Sequence, residues 1–394
     1  MKLLVIQTHP VQYVAPQLRW LSARVSLEVL YLCRQNVIGT AAAADVPPDP
    51  GFGEPLQWDQ PLLEGYRSAF LCSSGLAAIE GLGGLLCLPG ALRRVRRSRP
   101  DAVLLFNHSP WLVGALAGLL PRLGIPVFLR TEATDAVRLR TPGLALLRDL
   151  GLRWIYSRCT LLFPISGHGR RHLEVRGVPP ERICLVNYAP NTAWLQEQRT
   201  QWQPQRGELR RQLRIPAQAP VLLYAGRLAP EKDVLLIPEA LVRLPAEQLG
   251  QLHLISVGSG PLQQEWERRL EEILGDRFHP LGFLNQSEIC SAYAMADALV
   301  LPSRHSETWG LVVHEALAFG CQALLSDCVG CGADLLALGQ PIRLFKAGQS
   351  SGLAAALRAW LAASVQATAE PGADLPDVLD FPQALPAALA TGRA

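Results

Sequence analysis

Short apolar runs of strand length recur through this chain, separated by helix-length segments, and the alternation is played out twice. KLLVIQ, SLEVLYL, DAVLLF, IPVFLR and TLLFPI carry it through the first half, and VLLYAG, HLISVG, FHPLGF, DALVLPS, QALLSD and IRLF through the second. Between the later runs, helical patterns fall near 234–244, 261–274, 287–295 and 311–319. Such alternation builds parallel βαβ units, because a parallel strand needs a crossover long enough to hold a helix. The predicted fold class is therefore α/β, with two Rossmann-like doubly wound parallel-sheet domains at 1–190 and 220–361. A length of 394 residues agrees, being too much for one ordinary core. The segment 191–219 is dense in Gln, Arg and Pro and is expected to be an interdomain linker. Residues 39–75 read as a long excursion from the first sheet, and 362–394 as a proline-spaced, irregular tail.

Ligands of open α/β sheets bind outside the carboxyl ends of the strands. Two such sheets are expected to face each other across a cleft, with their chemistry in the loops after each strand. Charge does not redirect this reading. With 37 basic against 34 acidic residues the chain carries +3, which argues against a nucleic-acid partner. Nine cysteines, an odd number scattered mostly through apolar segments, suit reduced thiols in a reducing compartment. No signal peptide is read at the start, and the longest apolar stretch, WLVGALAGLLP at 111–121, is short of a membrane span. A cytoplasmic protein is expected.

The loop after VLLYA is GRLAPEK, placing Gly226, Arg227 and Lys232 at a strand mouth. Arg grips phosphate oxygens bidentately and Lys acts as a point charge, so this loop suits an anion; a solvated basic loop, with Glu231 between the cations, is the competing account. After DALVLPS comes RHSETWG and then LVVHEALAFG, a helix closed at Gly320. Glu307 sits on that loop and Glu315 inside the helix, eight positions apart. The amides of Gly310, Leu311 and Val312 open the helix and form an anion site. A diphosphate fits between the carboxylates, with Glu307 toward a hexose and Glu315 toward a ribose. Taken singly, each glutamate could equally stand on a wet face.

At this point the chain resembles glycosyltransferase family 4. GRLAPEK, VGSGP (257–261), GFLNQSEICSAYAMADALVLPS (282–303), ETWGLVVHEALAFG and SDCVGCGADL (326–335) are similar, in order, to the second domain of that family, whose hallmark is a Glu-x7-Glu spacing. HPVQYVAP at 9–16 and WDQPLLEGY at 58–66 resemble a subgroup with His-Pro-x-Gln-Tyr after the first strand. The resemblance implies the GT-B fold, a nucleotide-diphosphate sugar donor, a saccharide or lipid-linked acceptor, and transfer with retention by same-face attack. It further implies that Glu307 and His108, in NHSP, position the hexose. Arg227 and Lys232 would stabilise the leaving diphosphate. The amides of 309–312, Trp309 among them, would hold phosphate, and Gly258 and Phe283 would lie by the base and sugar. On the acceptor side the candidates are His9, Gln12, Arg130 and Glu132, for which strand-end packing and surface charge are competing accounts.

No Asp-x-Asp occurs, so a metal-independent mechanism without a cofactor is expected. Cys328 and Cys331 form a C-x2-C with no second pair at zinc spacing, so no metal site is assigned. The run of arginines over 92–99 carries a further expectation of peripheral contact at the inner face of a membrane, against the plainer account of a solvated helix end. A nucleotide-sugar-binding scaffold without turnover is the alternative function. A nicotinamide oxidoreductase would need G-x-G-x-x-G, of which VGSGPL has only part.

Overall fold

In β1 (Lys2–Gln7) side chains alternate between two buried faces: Leu4 and Ile6 enter one core and Leu3 and Val5 another. A strand apolar on both sides must be covered on both sides, which is the demand a doubly wound sheet meets. The computed structural model describes residues 1–34, 61–72, 81–107, 109, 111–135, 142–188, 191–305 and 307–364. The described residues fall into two units, one formed by 1–34 and 61–188, the other by 191–364.

The first unit holds β1, β2 (Ser26–Tyr31), β3 (Arg67–Phe70), β4 (Ala102–Phe106), β5 (Val127–Thr131) and β6 (Leu161–Pro164). All pair in parallel, in the order β3-β2-β1-β4-β5-β6. Helix α1 (Ala15–Ser22) covers the Leu3/Val5 face through Leu18 and Leu21. Helices α2 (Leu88–Ser98), α3 (Trp111–Leu119), α4 (Pro142–Arg158) and α5 (Gly167–Val175) cover the Leu4/Ile6 face. Strand β3 corrects the expectation that 39–75 lies wholly outside the sheet, since Leu30 and Ala69 stand in register. RSAF is short and only half-buried at this sheet edge, too weak a pattern to show in the sequence.

The second unit runs α6 (Thr192–Trp202), α7 (Arg206–Gln212), β7 (Val221–Ala225), α8 (Leu236–Leu241), α9 (Ala246–Gln251), β8 (His253–Val257), α10 (Gln263–Leu274) and β9 (Phe278–Gly282). It continues with α11 (Ile289–Met295), β10 (Ala298–Leu301), α12 (Leu311–Ala318), β11 (Gln322–Ser326), α13 (Gly332–Ala337), β12 (Ile342–Phe345) and α14 (Ser350–Ser364). Its sheet is again parallel, ordered β12-β11-β10-β7-β8-β9.

The segment 191–219, expected as a linker, is instead built into this unit. Arg206 and Arg210 on α7 reach Asp297 at 2.5 and 2.9 Å, and Arg210 also donates to the Met295, Ala217 and Ala219 carbonyls. Asp297 accepts the Val221 amide as well, at 2.8 Å. Charged groups so tied do not appear in apolar periodicity, which is why the helices are hidden in the sequence. The tail expected to begin at 362 is helical to Ser364, and the rest of it lies outside the described residues.

In each sheet the chain reverses its direction of winding between two neighbouring strands, β1 and β4 in the first, β7 and β10 in the second. Loops leaving such a pair diverge to opposite faces and open a crevice at the carboxyl edge. GRLAPEK follows β7 and RHSETWG follows β10; the His9 and Asn107 loops follow β1 and β4.

Candidate active site

The site in the second unit starts as a stitching of loops. Gly226 N donates to Val257 O at 3.0 Å and Gly258 N to Gly282 O at 2.7 Å, continuing the ladder past β7, β8 and β9. A β carbon on Gly258, whose φ is +127°, would lie 2.0 Å from the Gly226 carbonyl oxygen. No side chain fits there, so Gly258 is needed for close backbone approach to Gly226 whatever the loop binds. Across the crevice, Arg304 N donates to Glu231 O at 3.0 Å, and the Arg304 side chain meets Asp233 at 3.1 Å. The β10 loop is also pinned to the segment after β11, through Gly330 N to Glu307 O at 3.0 Å and Cys331 N to Trp309 O at 2.9 Å.

On this frame Lys232 donates to the Glu307 carboxylate, bridging the two loops of the reversal point. Both side chains are largely buried, 17% and 13% exposed, and Ser303 Oγ donates to the same Glu307 oxygen at 3.1 Å. Arg227 pairs with Glu231 at 2.6 Å, and Tyr224 Oη donates to the Arg227 carbonyl at 2.7 Å. Burial raises the Tyr224 phenol far above its ordinary value, and the Glu307 charge raises it further, with Arg227 opposing. The cations sought in GRLAPEK are thus held by carboxylates, Lys232 by the predicted Glu307 itself.

Helix α12 begins at Gly310, whose φ of +97° turns the chain into it. Leu311 and Val312 present the first amides, both half-exposed. Trp309, predicted beside phosphate, has its ring buried against His314, centroids 5.4 Å apart, so its side chain belongs to the core. Glu315 accepts a hydrogen bond from Tyr293 Oη at 2.6 Å. Burial raises the Glu315 carboxyl above the ordinary carboxylate value, with the tyrosine bond acting against it. A freely solvated wet face does not describe Glu315. Phe283 stands half-exposed just past β9 and Gly282. Tyr293, Ser303 and Tyr224 were not singled out in the sequence; only the folded chain brings them to the glutamates and to the Arg227 loop.

In the first unit, His9 and Gln12 lie half-buried after β1, and His108 falls outside the described residues. Arg130 departs both from an acceptor-facing position and from surface charge, being 1% exposed. It donates to Gln17 Oε1 at 2.8 Å and lies over the Tyr188 ring at 4.3 Å. Its strand is interior to the sheet, between β4 and β6, where a guanidinium is tolerated only with acceptors and aromatic faces around it. Glu132 is half-buried and accepts from Tyr188 Oη; Tyr13 packs edge-on against Tyr188 at 5.2 Å.

Two parallel sheets of this winding order, one with a cation-bearing loop after its first strand and a glutamate-bearing loop after its fourth, define the GT-B architecture. Its structural neighbours bear this out. Sucrose-phosphate synthase from Thermosynechococcus elongatus matches with a TM-score of 0.68 at 18% identity, over 100% of this chain and 98% of its own. Anabaena HepE, solved in complex with UDP and glucose, matches with a TM-score of 0.65 at 16% identity, over 100% of both chains. In sequence, residues 10–189 match the family "Glycosyl transferase 4-like domain" and residues 205–370 match "Glycosyl transferases group 1". The D-inositol 3-phosphate glycosyltransferase of Thermobispora bispora is 27% identical over 266 residues, 61% of this chain. The chain spans 58% of the length of that curated relative. By these matches the chain belongs to the GT-B glycosyltransferases of the family 4 type. No described helix is long and apolar enough to cross a membrane.

Proposed function

We propose that the protein is a retaining, metal-independent glycosyltransferase that moves a sugar from a nucleotide-diphosphate donor to a saccharide or lipid-linked acceptor. The observation that carries this reading is the Lys232–Glu307 pair at the reversal point of the second sheet, between the Arg227 loop and the first turn of α12. A cation and an acid meet on the loops that leave the reversal point, where ligands of such sheets bind, and the loop that carries the acid runs into the first turn of α12. That HepE was solved with UDP and glucose supports a nucleotide-sugar donor.

In this reading Arg227 and Lys232 take up charge on the departing diphosphate as the bond between the sugar's anomeric carbon and phosphate oxygen breaks. The acceptor oxygen forms the new bond on the same face and gives its proton to that phosphate oxygen. Glu307, partly released from Lys232 when the phosphates arrive, accepts from a hexose hydroxyl. Glu315 accepts from the ribose, and His108 lies on the hexose side. The amides of 310–312 hold phosphate, while Gly258 and Phe283 flank the base. His9, Gln12 and Glu132 are the acceptor-side groups, and Arg130 lies over the ring of Tyr188, which donates to Glu132. A lipid-linked acceptor would bring the protein to a membrane, and contact there through the arginines of 92–99 belongs to the proposal.

The test is a thermal-shift screen of UDP-, GDP- and ADP-sugars, since a bound donor raises the melting point by mass action, followed by donor turnover in the presence of EDTA. Arg227→Ala and Lys232→Ala should each lose on the order of 10²-fold or more in turnover while remaining folded. Near-normal turnover in either refutes the assignment. Stabilisation by donor with no release or transfer of sugar would favour the scaffold instead.

A further inference from the structure

Helices α2, α3 and α4 and the turn Leu82–Cys87 lie side by side on one face of the first sheet. Their inner sides are core. Their outer sides are unusual for a surface in water. Leu82, Leu86 and Trp111 are largely exposed, Leu86 at 86%. On α4, Leu146, Leu147 and Leu150 are exposed too, on the side opposite Leu152 and Tyr156 in the core. Trp154 extends this stripe and joins it to α3, packing so closely over Gly118 that a β carbon there would come within 2.1 Å of the ring.

Arginines border the apolar surface. Arg94 is neutralised by Glu28 at 2.7 Å, but Arg93, Arg96 and Arg97 project outward on the exposed side of α2, followed by Arg99. Among the described residues no carboxylate pairs with these four. Together with Leu88, Pro89 and Leu92 they line an open depression of about 810 Å³.

Contiguous exposed hydrophobics mark an interaction site, and the charge beside them selects the partner. A bilayer with anionic lipid offers hydrocarbon and phosphate in adjoining layers, which is what an apolar face with unpaired arginines complements. A second copy of the chain would instead bring arginine borders of one sign toward each other.

We propose that this outer face docks on an anionic lipid bilayer, with Leu82, Leu86, Trp111, Leu146 and Leu147 entering the interface and Arg93, Arg96 and Arg97 meeting lipid phosphate. This deepens the membrane contact proposed above, adding an apolar surface that the arginine run alone did not reveal, and it does not depend on donor chemistry.

Co-sedimentation of the full chain with phosphatidylcholine vesicles, with and without phosphatidylglycerol, tests it in the absence of any nucleotide sugar. Binding should require phosphatidylglycerol and weaken with salt. At roughly five-fold per charge, the Arg93→Gln/Arg96→Gln/Arg97→Gln variant should lose about a hundred-fold in partitioning. The Leu86→Ser/Leu147→Ser variant should lose about ten-fold or more, because two leucines no longer leave water. All these positions are exposed, so folding should persist, checked by an unchanged melting point. Equal binding to both vesicle types, or undiminished binding by the arginine variant, overturns the proposal. So does a wild-type dimer in light scattering that the serine variant dissociates while vesicle binding is unaffected. A protein that binds vesicles in this pattern yet turns over no donor overturns the transferase reading and leaves this one standing.

Discussion

The Lys232–Glu307 pair can be examined by a double-mutant cycle. Removing one partner of a buried pair leaves a charge without compensation, at a cost of about 3–5 kcal/mol. Here the side chains retain 17% and 13% exposure, so water relieves part of that, and about 2 kcal/mol is expected for each single change. Lys232→Met should sit at the lower end, because Ser303 still donates to Glu307 at 3.1 Å. Glu307→Gln leaves the lysine with only an amide oxygen. In Lys232→Met/Glu307→Gln neither charge remains, so the double variant should cost about as much as one single, a coupling of about 2 kcal/mol. Urea unfolding followed by tryptophan fluorescence reads this, with buried Trp266 and Trp360 reporting on the second unit. All three variants should lose donor turnover, including the double, which is no less stable than either single. Single costs that add to within about 0.5 kcal/mol would show that the two side chains are not coupled, and the bridge between the β7 and β10 loops would have to be abandoned.

Glu315 and its neighbour His314 should respond to pH in opposite senses. Burial raises the Glu315 carboxyl above 4.5, so the native state holds that proton more tightly than the unfolded chain. Its contribution is therefore full below 4.5 and lost as pH rises through the raised value, and Glu315→Gln should remove that loss in pH-dependent urea midpoints. Burial lowers His314 from 6.5 to about 4, so its contribution is full above 6.5 and lost as pH falls through 4; at 1% exposure the span is about 3 kcal/mol, and His314→Phe should flatten the acid limb. Cys72 and Cys87 have sulfurs 2.9 Å apart, so diamide should join them, removing two of nine alkylatable thiols by peptide mass mapping. The reaction should quicken toward alkaline pH because burial and Cys87 push Cys72 up to about 11; a full set of nine thiols after treatment refutes it. Gly330→Ala would put a β carbon 1.9 Å from the Thr308 carbonyl oxygen, and should cost about 3 kcal/mol and weaken donor binding together, seen as a lower urea midpoint and a smaller donor-induced thermal shift.

Much of the fold is legible in the chain because burial on two faces requires unbroken apolar runs. KLLVIQ is β1 residue for residue, and VLLYA, HLISV, QALLS and IRLF are β7, β8, β11 and β12. GRLAPEK and the paired glutamates were visible for the same reason: loops after such strands are short and keep their polar residues together. What sequence alone could not determine was pairing. That Lys232 meets Glu307 across 75 positions, that Tyr293 holds Glu315, and that Arg210 anchors a presumed linker to Asp297 depend on contacts between distant segments. Arg130 makes the same point, since a charge after a strand reads as solvent-facing until Gln17 and Tyr188 close over it. Hydrophobic period is a local property written along the chain, whereas the partner of a charge is chosen only when the sheet brings its edges together.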